Sequence, residues 1–69
     1  NPFKSELHVQ TNNHEPSEIS IYDLVSRKLL LQMFTGSAFI NTQQLSNGIY
    51  IYEVRSKSGQ LIRGKIVKE

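Results

Sequence analysis

Apolar side chains in this chain recur at every second residue, a spacing that suits a half-buried β-strand and not a helix. Leu7 and Val9 alternate with Glu6, His8 and Gln10, and Ile19 and Ile21 alternate with Glu18, Ser20 and Tyr22. Leu29, Leu31 and Met33 oppose Lys28, Leu30 and Gln32. Tyr50, Tyr52 and Val54 oppose Ile51, Glu53 and Arg55, and Ile62, Gly64 and Ile66 oppose Arg63 and Lys65. No stretch has convincing helical spacing, although Thr42-Gln43-Gln44-Leu45 has room for one helical turn. Turn-forming clusters punctuate the pattern at 12–17, at Gly36-Ser37, at Ser46-Asn47-Gly48 and at Lys57-Ser58-Gly59. The expected strands are 6–11, 18–24, 28–34, 37–41, 49–56 and 60–68, with a tight hairpin at Ser58-Gly59. Short strands at this spacing predict an all-β fold of six to seven antiparallel strands in two sheets, because a single sheet leaves one apolar face wet. The expected core is Leu7, Val9, Ile19, Ile21, Leu29, Leu31, Ile40, Leu45, Tyr50, Tyr52, Val54, Ile62 and Ile66. The side of Leu29 and Leu31 is contested by Leu30, since a one-residue slip turns a strand over.

With 69 residues the chain is read as one domain spanning 1–69, with a thin core. The longest pure aliphatic run, Leu29-Leu30-Leu31, is far short of the ~20 residues that span a bilayer, so direct membrane insertion is not expected. There is no starting methionine and no signal-peptide pattern, so the chain reads as a fragment of a longer protein. The absence of cysteine excludes disulfide staples and thiolate metal sites. The net charge of +2 is unevenly spread. Lys4 stands against Glu6, Glu15, Glu18 and Asp23 early in the chain, whereas Arg55, Lys57, Arg63, Lys65 and Lys68 stand against Glu69 at its end. Opposite charges on facing strands, or basic residues guarding an edge, account for this; the alternative is a basic face for an anionic partner, although five charges over two strands make a weak patch by nucleic-acid standards.

Candidate chemistry is sparse. His8 and His14 lack a third ligand and read as surface histidines. Asp23, beside Arg27, reads as a turn-capping residue whose carboxylate bonds backbone N–H groups two residues on. Tyr50 and Tyr52 read as core residues with their hydroxyls at the rim, and Tyr22 is placed no more firmly inside than outside. No nucleophile, phosphate-loop or calcium-loop motif occurs. No catalytic, metal or cofactor site is expected, and the chain does not read as an enzyme.

The string Leu45-Ser46-Asn47-Gly48-Ile49-Tyr50 resembles the L-x-x-G-x-Y motif of type IX (Por) secretion system C-terminal sorting domains, type A. Asn1-Pro2 resembles the family's opening N-P. Ile19-Ser20-Ile21-Tyr22-Asp23-Leu24 followed by Arg27 resembles its I-x-I-Y-D-x-x-G-R segment. Gly59 and then Gly64-Lys65-Ile66-Val67-Lys68 resemble its closing basic strand. The ordered set covers essentially the whole chain. One departure stands out: Ser26 occupies the position before the arginine where the family has glycine, which suggests a backbone with positive φ there. Gly48 is expected to serve either positive φ or a close backbone approach, and Lys65 and Lys68 to place charge on a terminal strand.

The resemblance implies a small Ig-like antiparallel β-sandwich at the C-terminus of a secreted cargo protein. It implies transit through the periplasm of a Gram-negative bacterium and recognition by the type IX outer-membrane translocon with its shuttle and sortase proteins. The sortase removes the domain at a linker upstream of Asn1 and leaves the cargo secreted or attached to the cell surface. The partners are thus that machinery and the upstream cargo domains. Asn1, Pro2, Asp23, Arg27, Leu45, Gly48, Tyr50, Gly59, Lys65 and Lys68 are the motif residues expected to matter. Two other functions compete: an accessory Ig-like sandwich that binds carbohydrate or protein, and a structural spacer. The first calls for an exposed aromatic strip or a calcium site, and the sequence shows neither.

Overall fold

The computed structural model describes the backbone of Pro2 and Phe3 and, in full, residues 5–12 and 14–69. Asn1 lies outside the described residues. The strands are β1 (Pro2–Phe3), β2 (Glu6–Gln10), β3 (Pro16–Tyr22), β4 (Lys28–Thr35), β5 (Ser37–Asn41), β6 (Gly48–Ser56) and β7 (Leu61–Lys68). The six longer strands fall where the alternation and turn residues put them, and the Thr42–Leu45 stretch is a turn instead of a helix. Hydrogen bonding connects the strands in the order β1-β7-β6-β3-β4-β5-β2. The link between β4 and β5 is a single residue pair, Thr35 opposite Ser37, on either side of Gly36. There the ladder turns a corner, so that β5 and β2 fold back over the five-strand layer β1-β7-β6-β3-β4. The result is an all-β sandwich of two unequal layers. Every pairing except one is antiparallel among the described residues; β1 runs parallel to β7, with Pro2 opposite Val67 and Phe3 opposite Lys68.

Between the layers lie Ile19, Ile21, Phe34, Ile40, Leu45, Tyr50, Val54 and Ile66, with Leu7, Val9, Leu30, Ala38 and Tyr52 packed around them. Directly opposed residues share a face of a sheet. Ile19 and Ile21 of β3 oppose Val54 and Tyr52 of β6, and Tyr50 opposes Ile66 of β7, so one apolar face runs across three strands. Glycine in β7 has a packing role: a Cβ at Gly64 would sit 2.7 Å from the Tyr52 ring, which lies across it.

The structure corrects the expected core at three positions. Leu29 and Leu31 are on the outside, the latter 53% exposed, whereas Leu30 is half-buried and Phe34 buried. Register decides this, because Leu30 opposes Ile21, Gln32 opposes Ile19 and Phe34 opposes Ser17. The face that buries Phe34, the largest apolar side chain of β4, removes more apolar area from water than the face carrying Leu29 and Leu31. Ile62 does point to the inner side, opposite Val54, yet remains 51% exposed. The covering layer has only two strands and stops short of it.

Gly64→Ala should destabilise the domain by about 1–3 kcal/mol, since the added methyl forces the Tyr52 ring to move. Removing the ring with Tyr52→Ala should make the glycine substitution nearly neutral. Thermal melts of the four-member cycle measure this coupling, and a Gly64→Ala variant as stable as the parent would refute the contact.

Candidate functional site

The Leu45–Tyr50 segment joins the covering layer to β6, and three side chains hold it. Leu45 is buried in the core, and its N–H donates to the Thr42 carbonyl at 3.0 Å, closing a turn. The Tyr50 ring fills the core while its hydroxyl donates to the Ser46 carbonyl at 2.5 Å. The third is Lys68, whose ammonium donates to the carbonyls of Thr42 at 2.5 Å and Leu45 at 2.6 Å. Thr42 is itself fully buried, and its N–H donates to the Ser5 carbonyl. Gly48 has φ 153°, and a Cβ there would meet no atom within 4 Å. Of the two roles open to Gly48, the structure shows a backbone conformation that side-chain-bearing residues rarely adopt. Ser46 and Asn47 are left exposed as the tip of a loop anchored at both ends.

Lys68 therefore departs from expectation. It does not guard an edge or extend a basic face: it is 8% exposed, with two backbone carbonyls as its partners. Burying an ammonium is costly unless its donors are satisfied, so the bonds are what permit this placement. Its parity is the sequence signal for this placement, because Lys68 is in phase with Ile62, Gly64 and Ile66 on the inner face. Lys65, in the opposite phase, is exposed. The charge asymmetry resolves partly into cross-strand pairs. Arg63 lies 3.2 Å from Glu53, and Glu18 stands opposite Arg55. Such exposed pairs contribute at most about 1 kcal/mol each.

Asp23 organises the β3–β4 turn. Its Oδ1 accepts the N–H groups of Val25 at 3.0 Å and Arg27 at 2.9 Å, and its Oδ2 accepts the Arg27 guanidinium at 2.7 Å. The Arg27 backbone N–H holds the Asp23 carboxyl below its ordinary value; desolvation opposes this, and the Arg27 side chain and the Val25 N–H add to the lowering. With the folded value lowered, the turn's contribution to stability is present above the ordinary Asp range and fades as pH falls through the lowered value. Ser26 within this turn has φ 70°, the left-handed conformation anticipated from the missing glycine.

By register, one end of the large layer gathers Pro2, the Asp23–Arg27 turn, the Leu45–Gly48 loop and Lys68, whereas Gly59 closes the β6–β7 hairpin at the opposite end. His8 stacks on Phe39, its cross-strand partner, with ring centroids 4.4 Å apart and planes at 11°, a pairing the sequence pattern did not reveal. Tyr22 is half-buried on the outer face, with the Lys28 ammonium 5.8 Å from its ring centre. Among the described residues no three His, Cys, Asp or Glu side chains converge to hold a metal ion.

Lys68→Met should cost about 2–3 kcal/mol, because it strands two buried carbonyls that shared a charged donor. That corresponds to a fall in Tm of about 10 °C or more for a domain of this size. Lys65→Met should stay within about 0.5 kcal/mol. Equal melting temperatures for the two would contradict the clamp. In the other turn, Ser26→Gly should raise stability by up to about 1 kcal/mol, since relief of the left-handed backbone outweighs the entropy that glycine adds to the unfolded chain. A lower Tm for the glycine variant would show that Ser26 carries no strain.

A family model described as the secretion system C-terminal sorting domain matches residues 1–69. No curated protein and no solved structure matches the chain. The matched family is one of sorting signals and not a class of enzymes. The match takes in the anchored L-x-x-G-x-Y loop, the Asp23–Arg27 turn and the closing strand, and the chain belongs to the type IX secretion C-terminal sorting domain family.

Proposed function

We propose that this domain forms the C-terminal part of a longer cargo protein and is recognised, already folded, by the type IX outer-membrane machinery. In this account the cargo crosses the periplasm of a Gram-negative cell. A shuttle protein receives the domain, and a sortase cuts a linker upstream of Asn1, leaving the cargo secreted or fixed to the cell surface. The observation that carries the reading is the anchored loop: the family motif supplies the anchors Leu45 and Tyr50 and the bend Gly48, and leaves Ser46 and Asn47 outside on a rigid support. Preorganised loops lose little entropy when a partner binds. Lys68 is structural in this account, so recognition falls on the loop tip, with Lys65 and the Asp23–Arg27 turn as flanking contacts.

A signal-peptide-bearing reporter fused to this domain through its native linker should be exported in a host with the type IX machinery. Removing 60–69 should abolish export by unfolding the sandwich. Replacing the tip with Ser46→Arg and Asn47→Arg should leave Tm nearly unchanged, as exposed substitutions do. Export should nevertheless fall by at least about tenfold, the loss expected from roughly 1.4 kcal/mol of contact energy. If the folded parent domain leaves the reporter in the periplasm, the sorting function is refuted. If the tip variant is exported normally while Lys65→Glu is not, the machinery reads the basic strand instead.

A further inference from the structure

The parallel pairing of β1 with β7 covers only Val67 and Lys68. From Leu61 to Ile66, β7 pairs with β6 on one side, and among the described residues no strand pairs with it on the other. An unpaired edge of this length is a template for another strand. Beside it an apolar groove of about 310 Å³ opens between the layers, walled by Leu7, Val9, Ile19, Val54, Ile62 and Ile66. Ile62 faces this groove and is half uncovered although it points to the inner side.

From these two features we infer that the chain immediately preceding Asn1 continues β1 backwards along the free edge of β7 and covers Ile62. This rests on the reading that the domain is carried behind a cargo protein, so that native sequence precedes it. The occupant follows from continuity with an existing pairing. Because β1 is parallel to β7, chain upstream of Pro2 runs beside chain upstream of Val67. The register then fixes the contact: Pro2 opposes Val67, and Ile62 lies five residues before Val67, so the residue five before Pro2 opposes Ile62. Its side chain falls on the same face as Ile62 and closes the groove, which calls for an apolar residue at that position. The linker next to the domain is then an ordered strand, and the bond that the sortase cuts lies beyond it.

The chain has no cysteine, so a single engineered pair reports cleanly on this register. In the domain carrying its native upstream residues, Ile62→Cys combined with a cysteine five residues before Pro2 should close an internal disulfide under mild oxidation. A cysteine four residues before Pro2 should not, because its Cβ points to the other face. In the unsubstituted extended domain, hydrogen exchange at the β7 amides that point away from β6 should slow at least tenfold relative to the 69-residue chain. A disulfide between two molecules would assign the edge to a second copy and overturn the inference. So would equal cross-linking at both positions, or unchanged exchange. These readouts use purified protein. Export that fails while the disulfide forms would remove the sorting function alone, and export without strand pairing would remove this inference alone.

Discussion

The placement of one ammonium group organises the end of this sandwich that carries the family motif. Lys68 ends the last strand, yet its side chain runs inward to the carbonyls of Thr42 and Leu45 on the chain that descends from the covering layer. Without that link the two layers would be joined near this end chiefly by apolar contact across a thin core. A domain of this size buries only roughly 60% of its unfolded surface. A buried charge with directional partners adds what apolar packing lacks, a requirement for one particular geometry. The Tyr50 hydroxyl imposes a second such requirement on the neighbouring Ser46 carbonyl. Together they turn a six-residue motif into a rigid loop.

The rest of the motif follows from the same constraint. Leu45 must be apolar because it enters the core next to the carbonyl that Lys68 uses. Gly48 must lack a side chain because the chain leaves the clamped turn with φ 153° before entering β6. Tyr50 must be aromatic and hydroxylated, since its ring packs inside and its oxygen reaches the loop. The Asp23–Arg27 turn uses a different device, a carboxylate satisfying two N–H groups and a guanidinium, to fix another loop at the same end of the large layer.

Much of this was legible in the sequence. The period-two alternation and the Gly, Asn, Ser and Pro clusters located the six longer strands, because both signals act locally. The missing glycine at Ser26 announced the left-handed backbone that is observed. What escaped was set by long-range pairing. The Leu29-Leu30-Leu31 run allows either face of β4 to be buried, and only its register against β3 chooses Leu30 and Phe34. A two-residue strand such as β1 has no periodicity to detect, so its parallel pairing was invisible. At Lys68 the charge points to the surface whereas the alternation places the side chain with Ile66, and only the carbonyls of Thr42 and Leu45, distant in sequence, let phase prevail over charge.

The central claim is that Lys68 is a buried clamp while Lys65 is a surface residue. Amine-acylating footprinting of the native domain, read by mass spectrometry, tests it without any mutation. Lys68 should be modified at least about tenfold more slowly than Lys65, as expected if modification needs an opening that costs 1.4 kcal/mol or more. The two should become equal in denaturant. Equal modification of Lys65 and Lys68 in the native protein would contradict the clamp, and with it this account of why the motif has its shape.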